Sequence, residues 1–208
     1  MALEIWFTFF VATSVLLIIP GPTIMIVVSY ALSGGKRTGF ATVPGVALGD
    51  FTAMTISLLG AGALLSASAT LFMILKLCGA AYLFWLGVQL WRSKPDPLVL
   101  EKAKGGLDHK QMFWSSYVIT ALNPKGLVFF IAFVPQFFDT GRALGPQMAI
   151  MIATFVGLAS MNVAAWAFFV GSMRERFRSP KVLGRLTKGG GALLMVLSVV
   201  TLLTRRAA

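Results

Sequence analysis

Titratable side chains are scarce in this chain. Its 208 residues include seven acids, one histidine and one cysteine, and only 12% are charged. Soluble domains carry about 25% charged residues. A soluble fold could not hide a composition that is 57% hydrophobic behind so few charges. With a mean hydropathy of +0.84, lipid is the natural solvent. The lone Cys78 excludes an internal disulfide and a thiol redox pair, and it reads as a small core residue. The lone His109 falls in a polar loop, so no span holds a histidine. Carboxylate pairs, metal-spaced clusters and nucleophile–base pairs are also missing from the spans. A membrane enzyme is therefore left without machinery, and no cofactor or metal is expected.

What the chain does have is positive charge. Its formal net charge is +11, which in a soluble protein would suggest nucleic acid. Here the basic residues sit in short loops between apolar runs, and membrane orientation accounts for them without a nucleic-acid partner.

A helix needs about 20 mostly apolar residues to cross a bilayer core. Six runs qualify: Ile5–Ser29, Gly39–Leu65, Leu71–Trp91, Phe113–Phe138, Pro146–Gly171 and the shorter Gly189–Thr204. The small, polar stretch Ser66–Thr70 separates the second from the third. Glu4 stands where a signal peptide carries basic residues, and the apolar run continues past Pro20, so the start reads as a retained first helix. The first, third and fifth loops hold 13 lysines and arginines, against Arg142, Arg205 and Arg206 on the other side. Positive-inside orientation then places the odd loops in the cytoplasm and both termini outside a cytoplasmic membrane.

The chain reads as one membrane domain, 1–208, built of two halves. Repeat one covers about 1–93, a cytoplasmic loop about 92–112, and repeat two about 113–208. Span one carries Pro20-Gly21-Pro22, and span four carries Asn123-Pro124. Span two has small residues at every fourth position: Ala41, Gly45, Gly49, Ala53, Ser57 and Ala61. Span five has Ala149, Ala153 and Gly157, with Ser160 and Ala164 near the same face. Gly79 and Gly87 in span three match Gly190 and Ser198 in span six in spacing. Three spans per half is an odd number, so the second half is inverted. Inverted repeats with interrupted helices are a common plan of secondary transporters. The expected fold is thus all-α, with six transmembrane helices in two inverted three-helix repeats and helices one and four interrupted at proline motifs.

Those motifs are the first site candidates. Each proline removes a backbone donor and clashes with a carbonyl one turn back. Irregular backbone at mid-membrane persists only where protein buries it or where it lines a cavity. Asp50 is the only acid deep in a span, where a charge costs roughly 2.5–3.5 kcal/mol on insertion scales. It is kept by pairing, by water or by a proton. Its readings are a structural pair with Lys125, a contact to a substrate amine, or proton coupling. Lys125 and Asn123 can bind a carboxylate or stabilise the broken backbone, and a half-helix beginning there points its positive end at an anion. Gly45 and Gly49, like Gly79 and Gly87, read as packing glycines. Gln136 and Asn162 read as helix–helix hydrogen-bonding groups. The small-residue stripe can pack within the chain or against a second copy, which leaves a homodimer open.

Four stretches together resemble the LysE/RhtB family of amino-acid exporters: PGPTIMIVVSYALSGGKRTGF at 20–40, GVALGD at 45–50, LKLCGAAYLFWLGVQLWRS at 75–93 and NPKGLVFFIAFVPQFFD at 123–139. The resemblance implies six spans and efflux of amino acids or their derivatives, with protons as the coupling ion. It places Pro20, Gly21, Pro22, Gly49, Asp50, Asn123, Pro124 and Lys125 at motif positions. Thr23 departs from the asparagine or aspartate frequent after PGP. Ala53 and Met54 occupy the region where a histidine often follows GD. Both departures leave the exported compound open. The competing function is a passive pore or facilitator for small polar metabolites. A pore needs a continuous polar lining, and the spans offer only scattered polar groups.

Overall fold

The computed structural model describes residues 1–67, 69–92, 108–139 and 141–172, with scattered positions from 188 to 199. Most of the sixth expected span and most of the third and fifth loops lie outside the described residues. So does Gly190.

The first span is two helices. α1 runs Leu3–Ile18 and α2 runs Pro22–Gly34. Pro20 and Pro22 offer no N–H to Leu16 and Ile18, so α1 cannot continue. Pro22 then opens α2 at its first position, where the missing donor is harmless. The two helices meet at an angle of 53°. α2 stops at Gly35, whose φ of 76° is a conformation that favours glycine. A short 3₁₀ turn, Lys36–Thr38, leads into α3, Gly39–Ala67, and α4 follows as Ala69–Arg92.

The fourth span is also segmented. α5, His109–Ala121, is capped by Asp108, whose carboxylate accepts from the Lys110 N–H at 2.9 Å. α6, Pro124–Val128, is capped by Asn123. It widens into a π turn at Phe129–Phe133 and tightens to 3₁₀ at Val134–Phe137. Pro135 lacks the N–H that a regular α-turn would use there. Unlike the first span, 109–137 runs on as a single span of 29 residues. α7, Leu144–Ser172, is continuous.

Among the described residues, three helices are long and apolar enough to cross a membrane, and the bent α1–α2 pair makes a fourth. This is a multi-pass, all-α membrane protein. Large apolar side chains such as Leu3, Phe7, Phe40, Ile56 and Met161 lie exposed on its outer surface, as lipid permits.

Two apolar clusters hold the helices together. One joins Phe9 and Leu16 of α1 and Ile19 just after it to Met54 and Leu58 of α3, the phenylalanines of the π turn, and Met151 and Phe155 of α7. The other joins Ile24–Leu32 of α2 to Val46 of α3 and to Val163, Ala167 and Val170 of α7. Between them lies a polar layer. On α3 it falls between Val46 and Ala53, where Asp50 sits. On α7 it falls between Ala159 and Val163, where Asn162 sits. On the first span it is the break itself.

The small-residue stripes behave differently in the two halves. Ala41, Gly45, Gly49, Ala53, Ser57 and Ala61 are all buried. A Cβ on Gly45 would stand 2.5 Å from the Phe113 carbonyl oxygen, and one on Gly49 would stand 2.8 Å from that of Tyr117. α3 and α5 therefore touch backbone to backbone, as GxxxG spacing allows. On α7 the stripe faces outward. Ala149, Ala153, Gly157 and Ala164 are exposed, and a Cβ on Gly157 would meet nothing within 4 Å. The inner face of α7 is the Gln147, Met151, Phe155, Ala159, Val163 row, where large apolar volume fills the core better than small residues. Cys78 is likewise exposed on α4 rather than in the core.

Candidate functional site

The broken first span leaves carbonyls without their usual i+4 partners, and only Leu16 gains a tighter bond, from the Ile19 N–H at 3.2 Å. Leu16, Leu17, Ile18 and Ile19 would normally bond to positions 20 to 23, where two prolines and an extended glycine stand. Buried carbonyls need donors, and other helices supply them. The Lys125 ammonium donates to the Ile19 carbonyl at 2.9 Å and to the Leu16 carbonyl at 3.3 Å. The Asn162 amide donates to the Leu17 carbonyl at 2.8 Å. The C-terminal end of a helix is its negative end, so a lysine is well matched to it. The side chain of Lys125 crosses directly over Gly21. A methyl group added there would lie 3.3 Å from both Cε and Nζ.

A second set of bonds ties the two breaks together. Asn123 caps α6 by accepting from the Lys125 N–H at 3.1 Å, and its amide Nδ2 donates to Thr23 Oγ1 at 3.1 Å. Thr120 Oγ1 donates to the same oxygen at 3.2 Å. Thr23, Thr120, Asn123 and Lys125 are all buried. The prolines work through the backbone. Pro20 ends one helix, while Pro22 and Pro124 each open the next.

Asp50 faces the same place from α3. It is 8% exposed, and it lines a cavity of about 30 Å³ together with Thr23, Asn123, Lys125 and Asn162. Among the described residues, the ion pair closer than 4.0 Å is that of Arg142 with Asp139, not Asp50 with Lys125. The cavity admits water but is far below the about 300–1,000 Å³ of a ligand pocket. The helices are closed over the site in this conformation.

Asp50, Asn123, Lys125, Gly21 and Thr23 thus converge. Gly45 and Gly49 hold α3 against α5 beside the site. Gly79 and Gly87 lie on α4, where Gly87 is buried. Two contributors were not expected as site residues. Asn162 makes the helix–helix hydrogen bond expected of it, and its acceptor is a carbonyl of the break. Thr120 carried no signal beyond being a hydroxyl three positions before Asn123. Gln136 bonds only to Ala132 of its own helix, at 2.8 Å.

The arrangement offers one carboxylate, one ammonium, two amides, a hydroxyl and the carbonyls of the break around one small, mid-span cavity. It suits a small molecule that bears both charges. The profile of the LysE type translocators matches residues 14–205. A membrane protein of Pseudomonas aeruginosa is 32% identical over 198 residues, covering 92% of this chain and 91% of its own. The leucine efflux protein of Enterobacter sp. is 28% identical, covering 93% of this chain and 92% of its own. The homoserine/homoserine lactone efflux protein of Salmonella typhimurium is 28% identical over the full length of both chains. No solved structure matches.

Proposed function

The chain belongs to the family of LysE type translocators, and from that premise we propose that it exports amino acids or their derivatives across the cytoplasmic membrane, driven by the proton gradient. Two relatives of matching length are efflux proteins for leucine and for homoserine and its lactone. The observation that carries the reading is the Lys125 ammonium seated on the Leu16 and Ile19 carbonyls of a helix break, with Asp50 lining the same cavity.

In this reading the fold is six spans in two inverted repeats, one break in each half, with odd loops in the cytoplasm and both termini outside. The breaks at 20–22 and 123–124 open the same-numbered span of each half, as inverted repeats require. A zwitterion finds both of its ends served. Its carboxylate meets Thr23, Asn123 or Lys125, and its ammonium meets Asp50 or the freed carbonyls. Asp50 is the coupling residue. A lone buried carboxylate is costly, so Asp50 carries a proton when no cation stands beside it and releases the proton when one arrives.

The test is purified protein in vesicles loaded with radiolabelled leucine or homoserine. An imposed pH gradient should drive substrate movement against its concentration, and an uncoupler should abolish it. Equal downhill flux with and without the gradient would favour a passive facilitator.

A further inference from the structure

The acceptors that Lys125 uses are not part of its own helix or of a charged partner. They are two backbone carbonyls at the break: Pro20 offers no N–H to Leu16, which keeps only a bond from the Ile19 N–H at 3.2 Å, and the extended backbone at Gly21 carries the Thr23 N–H out of helical register with Ile19. They sit at the negative end of α1, deeply buried, and they lie 3.3 and 2.9 Å from a single nitrogen. That geometry is a receptor for one primary ammonium group, and here the protein fills it with its own. The side chain reaches it over a glycine, so no neighbouring side chain fixes it from that side. Asp50, the group that would pair best with a lysine, shares the cavity yet forms no ion pair with it.

We propose that the Leu16 and Ile19 carbonyls are the subsite for the ammonium group of the exported molecule, and that Lys125 occupies this subsite when no substrate is bound. This deepens the export reading above and rests on it. An arriving substrate ammonium displaces Lys125, which swings across the cavity to Asp50. Asp50 then loses its proton to the cytoplasm. After release outside, Lys125 returns to the carbonyls and Asp50 takes a proton from the outer side. One proton enters for each substrate that leaves, and neither state strands an unpaired charge or a bare carbonyl.

Two variants of the full chain test this. Lys125→Ala removes the atoms of one n-propylammonium ion. Added n-propylammonium should raise the thermal midpoint of this variant, n-propanol should not, and wild type should respond to neither. Should the variant unfold on extraction, n-propylammonium present during extraction should recover it. A variant indifferent to n-propylammonium under both conditions overturns the subsite. Lys125→Met keeps the bulk but loses the charge. In vesicles, its exchange of leucine or homoserine against itself should persist. Its net export should fall by roughly tenfold or more, the loss of a hydrogen bond to a charged group. Net export at the wild-type rate, or loss of both fluxes from inserted protein, overturns the stand-in role. If wild-type vesicles move neither compound, the export reading fails there, and the n-propylammonium measurement still decides the subsite.

Discussion

The Asn123 amide donates to Thr23 Oγ1 at 3.1 Å, joining the residue that caps α6 to the first turn of α2. The two breaks are therefore a single bonded unit, although 100 positions separate the partners in sequence.

That bond can be tested. Thr23→Val keeps the shape but removes the acceptor, leaving a buried amide and the Thr120 hydroxyl unpaired. The expected destabilisation is about 1–3 kcal/mol. Thr23→Ser should stay close to wild type. Thermal unfolding of the two purified variants checks both outcomes, and equal midpoints for valine and serine would contradict the account.

The two small-residue stripes predict opposite responses to one methyl group. A Cβ at Gly49 would meet the Tyr117 carbonyl oxygen and Thr120 Cβ, each at 2.8 Å. Gly49→Ala should cost roughly 1–3 kcal/mol by forcing α3 from α5. Gly157→Ala meets open space and should be neutral or slightly stabilising, since alanine is the better helix former. Unfolding midpoints of the two variants give the comparison.

Orientation follows from the 13 basic residues of the odd loops. A reporter that is active only in the cytoplasm, fused after Ala208, should be silent. The same reporter placed in the 93–107 loop should be active. Reversal of the two signals would invert the topology.

Much of this was legible in the sequence, and the reasons are specific. Apolar length marked the first, second, fourth and fifth spans, and Ser66–Thr70 fell where α3, ending at Ala67, gives way to α4, beginning at Ala69. Proline chemistry located the ends of α1 and α2, because a missing N–H acts locally whatever surrounds it. Asp50 stood out because an acid is costly in lipid. What the sequence hid was partnership. Nothing local says that Lys125 reaches the carbonyls of Leu16 and Ile19 rather than Asp50, because helix packing decides that. Asn162 looked like any polar residue in a span until its acceptor was seen to be Leu17. The stripe of Ala149, Ala153 and Gly157 faces outward for a related reason. Small residues permit close packing, but the helix turns toward the core the face that fills volume, and on α7 that face carries Met151 and Phe155.

The central claim is that Asp50 couples export to protons through a cation that comes and goes beside it. The most direct measurement is transport by Asp50→Asn protein in vesicles, with and without a pH gradient. Asparagine keeps the size and hydrogen-bonding capacity but cannot hold or release the proton. The account predicts a folded, inserted protein that has lost gradient-driven accumulation and still exchanges substrate for substrate. Accumulation at the wild-type level under the same gradient would contradict it and leave Asp50 a structural group of the polar layer.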